Sequence, residues 1–386
     1  MTTLPHAYAA SASQSLSEAA SLPFEVYHDQ EIHTREMDHI FRTDWVFVCA
    51  EQLLPNPGDY FALTLAGEAI AIIHGTDGEI RVLSNICRHR GTPLLDEGYG
   101  RVEKHITCPY HAWVYDQSGK FKGAPFTRNH KPGRSEHCLP NFHLESWHGL
   151  LFVNLSETPT PLSQRLAGID DYLHLFEPHS FTHGVKSGGE EWKANWKLAV
   201  ENAIESYHLF KVHEETLETI TPSKAAYYVA GSSEWTLTGG KMEDTRSKLE
   251  KWLTGKTPEA YGHYLLLFLP PNFIGILTYG SLLWIAVLPK EPEECQIMAG
   301  GISSEPGDDD AASAEFTAAF LAEDKWICER VQRGMHSKGT QGGKLVDMEQ
   351  SLIDFRQYLA SRLFGAEPIP FESSPEANLF LDETGS

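Results

Sequence analysis

Two short segments constrain this chain more than anything else in it. Cys87-Arg88-His89-Arg90-Gly91 and Cys108-Pro109-Tyr110-His111 each carry one cysteine and one histidine, with eighteen residues between His89 and Cys108. Four ligand-type side chains on two loops can share one centre only if the surrounding chain turns back on itself. The flanking sequence reads that way. From Trp45 to about Asn154 it consists of short β-type runs, Tyr60–Thr64, Ala69–Ile73, Ile80–Leu83 and Leu150–Asn154 among them. Pro57-Gly58-Asp59, Gly75-Thr76-Asp77-Gly78 and Asp116-Gln117-Ser118-Gly119 punctuate them as turns.

Two cysteines and two histidines can bind zinc tetrahedrally. They can equally hold a two-iron, two-sulfur cluster, with thiolates on one iron and imidazoles on the other. The second reading is preferred. Gly91 and Pro109 shape loops that can bring backbone N–H groups to the cluster sulfurs, whereas a zinc finger more often shows a Cys-x-x-Cys half and a helical histidine pair.

A second cluster follows about a hundred residues on, in Glu201-Asn202-Ala203-Ile204-Glu205-Ser206-Tyr207-His208 and then His213. Five residues on a regular helix amount to about 140° of rotation, too far for both imidazoles to share a metal. A π-bulge or a break between them would turn them to one point. Glu201, Asn202 and Glu205 lie where polar side chains can orient a ligating histidine through its second nitrogen. A carboxylate would complete the two-histidine, one-carboxylate face preferred by non-haem Fe(II). Asp324 is the leading candidate and Glu323 the runner-up; Asp308 to Asp310 read as loop charges.

The chain has 386 residues, long enough for more than one core. Its formal net charge of -22 argues against nucleic acid and anionic membrane surfaces as partners. Six cysteines in such a length are no disulfide scaffold, and Cys49, Cys138, Cys295 and Cys328 are expected as buried thiols. Met1 to Ala20 lacks the basic start and apolar run of a secretory signal. The apolar stretch Tyr264 to Leu288 is interrupted by Pro270-Pro271, Gly275 and Gly280, and reads as successive strands. A reducing cytoplasm fits these features. The expected organisation is α+β. A polar arm and helix occupy 1–44, a β domain with the Cys/His cluster 45–155, and a domain of helices on an antiparallel sheet 156–386, entered through a linker at Ser156 to Arg165. Helices are expected at Asp29–Phe41, Leu162–Phe176, Trp196–Thr219, Ala311–Met335 and Met348–Leu363, and strands at Tyr227–Leu237 and Tyr264–Leu288. Glu305 to Asp310 reads as a solvated loop.

The first cluster resembles the Rieske motif, Cys-x-His-Arg-Gly followed by Cys-Pro-x-His, with Ala112 where glycine is usual and the expected Trp113 after it. With the second cluster, the chain from about Trp45 resembles the α subunit of Rieske non-haem iron oxygenases. That resemblance implies a β-sandwich-like Rieske domain followed by a helix-grip catalytic domain. It implies a [2Fe-2S] cluster on Cys87, His89, Cys108 and His111, and a mononuclear Fe(II) on His208, His213 and Asp324. It implies dioxygen as co-substrate, with electrons from NAD(P)H arriving through a separate ferredoxin, flavin reductase or both. The resemblance further implies a head-to-tail homotrimer, in which Glu205 bridges His89 or His111 of one subunit to His208 of the next. Most members carry aspartate there; glutamate is similar to the subgroup that includes carnitine monooxygenase, and the chain length and the Glu323-Asp324 segment resemble the quaternary-ammonium oxygenases.

Three functions follow from these readings. The preferred one is a monooxygenase that hydroxylates or oxidatively N-dealkylates a small molecule, with Glu205, Asn202 and Asp324 in the catalytic machinery. The alternatives are a ring dihydroxylase and, outside enzymes, a Rieske electron carrier with an appended binding domain. Arg88, Arg90, Arg101 and Lys104 form a candidate docking patch for an acidic redox partner. Tyr227, Trp235, Phe268, Phe273, Tyr279 and Trp284 read mostly as strand core, with some of them able to cage a cationic ammonium.

Overall fold

The computed structural model describes residues 3–242, 259–306, 311–367 and 371–381. The chain divides into two compact units, Phe41–Thr160 and Met1–Ile40 together with Pro161–Ser386.

The unit Phe41–Thr160 is built from strands β1 (Val46–Ala50), β2 (Asp59–Leu65), β3 (Glu68–His74), β4 (Ile80–Ser84), β5 (Gly98–Arg101), β6 (His105–Thr107), β7 (Val114–Asp116), β8 (Phe121–Gly123), β9 (Asn141–Trp147) and β10 (Leu150–Asn154). Seven of them form an antiparallel sheet in the order β1-β10-β9-β4-β3-β2-β5, and β6-β7-β8 form a second, smaller one. Two-residue turns set the register of the hairpins. Ala66 and Gly67 (φ 46° and 80°) join Leu65 to its partner Glu68, and His148 and Gly149 (φ 49° and 77°) join Trp147 to Leu150. Positive φ at both central residues matches the right-handed twist of the strands, and glycine supplies it without strain. Cys87 and Cys108 lie in one buried cluster with Tyr60, Ile73, Leu83, Trp113, Tyr115 and Phe121.

In the other unit, α1 (Leu4–Ala12), α2 (Gln30–Glu36) and α3 (Leu162–Arg165) precede β11 (His183–Trp192), α4 (Trp196–Ala203) and α5 (Leu209–Val212). Strands β12 (Ala226–Gly231), β13 (Thr236–Lys241), β14 (His263–Leu269), β15 (Phe273–Thr278), β16 (Ser281–Glu291) and β17 (Glu294–Ser303) follow, then α6 (Ala311–Gly334), α7 (Gln350–Phe364) and β18 (Glu372–Ser373). The eight strands make one antiparallel sheet, β11-β17-β16-β15-β14-β13-β12-β18. Helices α4 and α6 pack on each other and meet the β16 and β11 side, while α7 covers β12 and β13. This is the α+β helix-on-sheet architecture expected. The apolar stretch from Tyr264 forms three strands of the sheet, and no helix among the described residues is long and apolar enough to cross a membrane.

Several boundaries differ from the sequence expectation. The single helix expected over Trp196–Thr219 is broken into α4, α5 and a 3-10 turn at Leu217–Thr219, and Leu162–Phe176 is one α-turn followed by 3-10 turns. The strand expected over Tyr227–Leu237 is two strands joined by a turn, with Trp235 outside both. Cys49, Cys295 and Cys328 are buried thiols as expected, but Cys138 is half-buried. Of the run Glu305 to Asp310, the part from Gly307 lies outside the described residues, Asp308 to Asp310 included.

Residues 1–40 are anchored on α4 by a buried ionic cluster. Lys197 Nζ lies 2.7 Å from Glu36 Oε1, both side chains being fully buried, and Trp196 Nε1 donates to Glu36 Oε2 at 2.8 Å. A charge this deeply buried persists only when paired and hydrogen-bonded, so the cluster specifies the seating of α2 on α4 more than it adds stability.

Candidate metal centres

The two cysteine loops are built alike. Cys87 N–H donates to Thr92 O and Gly91 N–H to Cys87 O; Cys108 N–H donates to Trp113 O and Ala112 N–H to Cys108 O. Each loop therefore closes on itself, and each fifth residue has positive φ, 74° at Gly91 and 53° at Ala112. The glycine usual at the second position has its reason here, since alanine in this region carries steric strain of about 1–2 kcal/mol. Both cysteines are only 2% exposed, whereas His89 is exposed and His111 half-buried. The imidazoles lie edge to face, 4.6 Å between centroids, and His89 stacks on Trp113 at 4.7 Å.

Burial pushes the Cys87 thiol up. Cys108 is buried too, but the N–H groups of His111 and Tyr110 point at its sulfur and pull it below its ordinary value. The Tyr115 hydroxyl lies 3.4 Å from Cys87 Sγ and accepts the Arg88 N–H at 3.0 Å. Sulfur ligands in a dry pocket with N–H donors, and imidazoles toward the surface, suit a two-iron, two-sulfur cluster that exchanges electrons through its histidine edge. Among the basic residues, Arg88, Arg90 and Lys104 are exposed, and Arg90 sits over the Tyr110 ring at 5.5 Å. Arg101 is paired with Asp59 at 3.2 Å.

The second centre depends on where the helix breaks. Asn195 caps α4, its side chain accepting from Lys197 N–H. The helix stops at Ala203, and the Ile204 carbonyl freed by the break accepts from Ser351 Oγ at 2.8 Å. The Glu205 carboxylate then accepts the N–H groups of Tyr207 and His208, starting a new helical turn. The break was expected between the two histidines; it falls instead just before His208. His208 and His213 flank the single turn α5 as its N-cap and C-cap; His208 is still helical (φ -77°, ψ -18°), whereas His213 leaves helical geometry (φ -111°, ψ 35°).

His208, His213 and Asp324 bring their ligand atoms within 4.8 Å of one another. Asp324 Oδ1 lies 2.9 Å from His213 Nε2 and 3.6 Å from His208 Nε2. The opposite nitrogens are engaged by other carboxylates, His208 Nδ1 by Glu205 at 2.6 Å and His213 Nδ1 by Glu323 at 2.7 Å. Two imidazoles held from behind and one facing carboxylate form a donor set that fits mononuclear Fe(II). Asn202 Nδ2 donates to Asp324 Oδ1 at 2.6 Å. Glu323 is thus brought to the rear of His213, where Thr216 Oγ1 also donates to it at 2.6 Å. Burial pushes His208 down, but Asp324 and Glu205 overcome it and raise the imidazole to about 10. Asp324 is pushed up by burial, and the two histidines more than reverse that. Such reciprocal attraction is the electrostatics of a cation site.

Glu201 does not reach a histidine. Four residues before Glu205 and still on α4, it receives the Tyr27 hydroxyl at 3.0 and 2.9 Å on its two oxygens. Tyr27, Tyr115 and Thr216 had no signal in the sequence; only Thr216 is near enough to a ligand, three residues from His213, to have been suspected. Of the six aromatics considered for a cage, Phe268, Phe273 and Trp284 are buried core, and Tyr279 sits in a turn against Tyr261. Tyr227 lines a cavity.

Comparison with known proteins agrees with this geometry. Residues 44–144 match the Rieske [2Fe-2S] domain, and residues 171–365, half of the chain, match the ring hydroxylating alpha subunit (catalytic domain). The glycine betaine monooxygenase oxygenase subunit of Chromohalobacter salexigens is 34% identical over 52% of this chain, a match that spans 44% of that protein's length. The carnitine monooxygenase oxygenase subunit of Escherichia coli is 26% identical over 84% of this chain and 87% of its own. The crystal structure of the quaternary ammonium Rieske monooxygenase CntA superimposes with a TM-score of 0.78 at 22% identity, covering 92% of this chain and 97% of that one. The chain carries the domains for a Rieske [2Fe-2S] cluster and a mononuclear iron, and belongs to the ring-hydroxylating α-subunit family of Rieske non-haem iron oxygenases.

Proposed function

We propose that the protein is a monooxygenase that hydroxylates, or oxidatively N-demethylates, a small nitrogen-bearing molecule such as a quaternary ammonium compound or an N-alkylated amine or amide. The observation that supports this most is the pair of donor sets on one chain. Cys87, Cys108, His89 and His111 suit a cluster, while His208, His213 and Asp324 suit an oxygen-activating iron. Relatives named for carnitine and glycine betaine point to methylated nitrogen as the substrate class.

In this reading a cluster held by Cys87, His89, Cys108 and His111 would supply electrons one at a time, and an iron held by His208, His213 and Asp324 would supply the activation of dioxygen. The chain's own residues fix the geometry. Glu205 and Glu323 hold the rear nitrogens of His208 and His213, leaving both Nε2 atoms toward Asp324, and Asn202 steadies the carboxylate. The overall step consumes O2, two electrons and two protons, inserts one oxygen into a C–H bond and releases water. Where that carbon is an N-methyl, the resulting N–CH2OH collapses: the C–N bond breaks, nitrogen takes the hydroxyl proton and formaldehyde leaves.

Domain boundaries near 45–155 and 156–386, a homotrimer and a cytoplasmic location complete the reading. Glu205 would bridge one subunit's His89 or His111 to the next subunit's His208, a role supported by its 2.6 Å contact with His208 Nδ1. Electrons would reach the cluster from NAD(P)H through a ferredoxin, a flavin reductase or both.

The test is a single turnover of pre-reduced protein under isotopically labelled dioxygen, with betaines, N-alkylated aromatics and aromatic acids as a mixture. One labelled oxygen, or loss of an alkyl group, is expected. Two labelled oxygens on a ring would establish dihydroxylation instead. Asp324→Ala should abolish product while leaving the visible spectrum of the cluster intact; an active variant would overturn the iron assignment.

A further inference from the structure

A small cavity of about 150 Å³ lies in the same unit as the iron-type site, lined by Ser206, Tyr227, Tyr228, Thr238, Asp347 and Met348. Ser206 belongs to the broken segment between α4 and α5, two residues before His208. Tyr228 on β12 and Thr238 on β13 are direct cross-strand partners, and Asp347 opens the 3-10 turn ahead of α7. The cavity holds far more than one water requires but is smaller than the pocket of a drug-sized ligand, so it suits a head group.

Its chemistry is narrow. Thr238 is only 7% exposed, and its Oγ1 has no hydrogen-bond partner among the described residues. A buried hydroxyl without a partner is uncommon, and a ligand that supplies one is the economical explanation. Both tyrosine hydroxyls are engaged outside the cavity. Tyr228 donates to Asp354 Oδ2 at 2.9 Å, and the Tyr227 hydroxyl lies 3.0 Å from His263 Nδ1. Tyr228 shares Thr238's face of the sheet while Tyr227, the next residue on the strand, points to the other, so the wall beside Thr238 is the Tyr228 ring, an aromatic surface that favours a cation. Among the described residues of the lining, Asp347 is the one ionisable carboxylate and stands exposed, and none is basic.

Each candidate head group meets these features differently. A carboxylate is repelled by Asp347. A quaternary ammonium satisfies the Tyr228 ring and Asp347, yet has no N–H and leaves Thr238 unpaired. A protonated tertiary amine satisfies all three, since its single N–H can be donated to Thr238 Oγ1 while its methyl groups face tyrosine. We propose that this cavity binds the protonated dimethylamine head of a small molecule and selects tertiary over quaternary amines through Thr238. The proposal rests on, and narrows, the methylated-nitrogen reading above.

The experiment is calorimetric titration of the intact oxygenase with N,N-dimethylethanolamine and with choline, which differ by one N-methyl. The dimethyl compound should bind about tenfold more tightly or better, as a hydrogen bond from a charged donor allows. Thr238→Val should erase that ratio while leaving the affinity for choline unchanged, and Thr238→Ser should retain it. Asp347→Asn should weaken both amines together. Thr238→Val removes a hydroxyl with no partner to lose, so its melting temperature should equal or exceed that of the parent. Failure of both amines to bind, equal or tighter binding of choline, or an unchanged ratio in Thr238→Val would each overturn the proposal. Oxygen transfer to another substrate by the wild-type protein would then leave the broader function standing, whereas no oxygenated product from any substrate would sink that function itself.

Discussion

Asp354 allows a quantitative test of the packing that supports this cavity. It lies on α7, 2% exposed, with the Tyr228 hydroxyl at 2.9 Å and Thr236 Oγ1 at 2.6 Å, both donating to Oδ2. Burial pushes its carboxyl from the ordinary 3.8 up to about 7; the two hydroxyls hold it down only in part, and Glu372 opposes ionisation. Because the folded-state value lies above the unfolded one, the folded chain binds the proton more tightly. Ionisation therefore costs nothing well below pH 4, costs progressively more as pH rises toward 7, and costs the full amount above it. A rise of about 3 in pKa corresponds to about 4 kcal/mol, a large share of a typical folding free energy. Asp354→Asn keeps an acceptor oxygen for both hydroxyls and removes the charge. Relative to wild type it should gain about 4 kcal/mol at about pH 8 but only about 2 kcal/mol at about pH 5. Any intrinsic cost of the amide is common to both conditions, so the widening between them is the diagnostic quantity. Urea unfolding followed by circular dichroism at the two pH values measures it. A difference that stays constant with pH would show that Asp354 ionises as an ordinary carboxyl, and would remove the buried anchor for Tyr228.

Two further outcomes follow from the metal centres. Glu323→Gln loses the charge behind His213 Nδ1 but none of the three converging donors, so iron affinity should fall about 10- to 100-fold without vanishing. Competition with a chelator measures this; complete loss of iron would make Glu323 a ligand, and no change would deny it any role in orienting His213. Ala112→Gly should relieve left-handed strain at φ 53°, partly offset by the greater freedom of glycine in the unfolded chain, for a net gain of about 0.5–1 kcal/mol. Thermal bleaching of the cluster absorbance should move upward in that variant, and an earlier loss would show that the strain is absent.

What could be read from the sequence follows the range over which each feature is encoded. The cysteine loops close within six residues, Cys87 to Thr92 and Cys108 to Trp113, so spacing alone carried their geometry. The antiparallel sheets were legible for a similar reason, since turn residues and apolar runs alternate at short range. Helix α4 was overextended because propensity through Thr219 is continuous. Its stop is enforced by Ser351, 147 residues away, and by the Glu205 side chain turning back onto the N–H groups of Tyr207 and His208. The aromatics of β14 to β16 carry no mark separating core from pocket wall. That distinction depends on which face α4 and α7 cover.

Glu323 and Asp324 show the same limit most sharply, and also why the helix break matters. As neighbours on α6 they point about 100° apart, and either could serve as a ligand while the partner's orientation is unknown. Once α5 is reduced to one turn with a histidine at each end, both Nε2 atoms face Asp324 Oδ1 and the outer nitrogen of His213 falls to Glu323. Helical bonds from Val212 N–H to His208 O and from His213 N–H to Leu209 O span the turn, so the departure from a regular helix's separation of about 140° lies at His213 itself (φ -111°, ψ 35°). The choice of carboxylate is therefore made at the C-cap of α5, while the break after α4 sets where that turn begins. Glu205 caps the new turn and engages His208 Nδ1 with the same carboxylate, so the group that interrupts the helix also orients the first histidine after it.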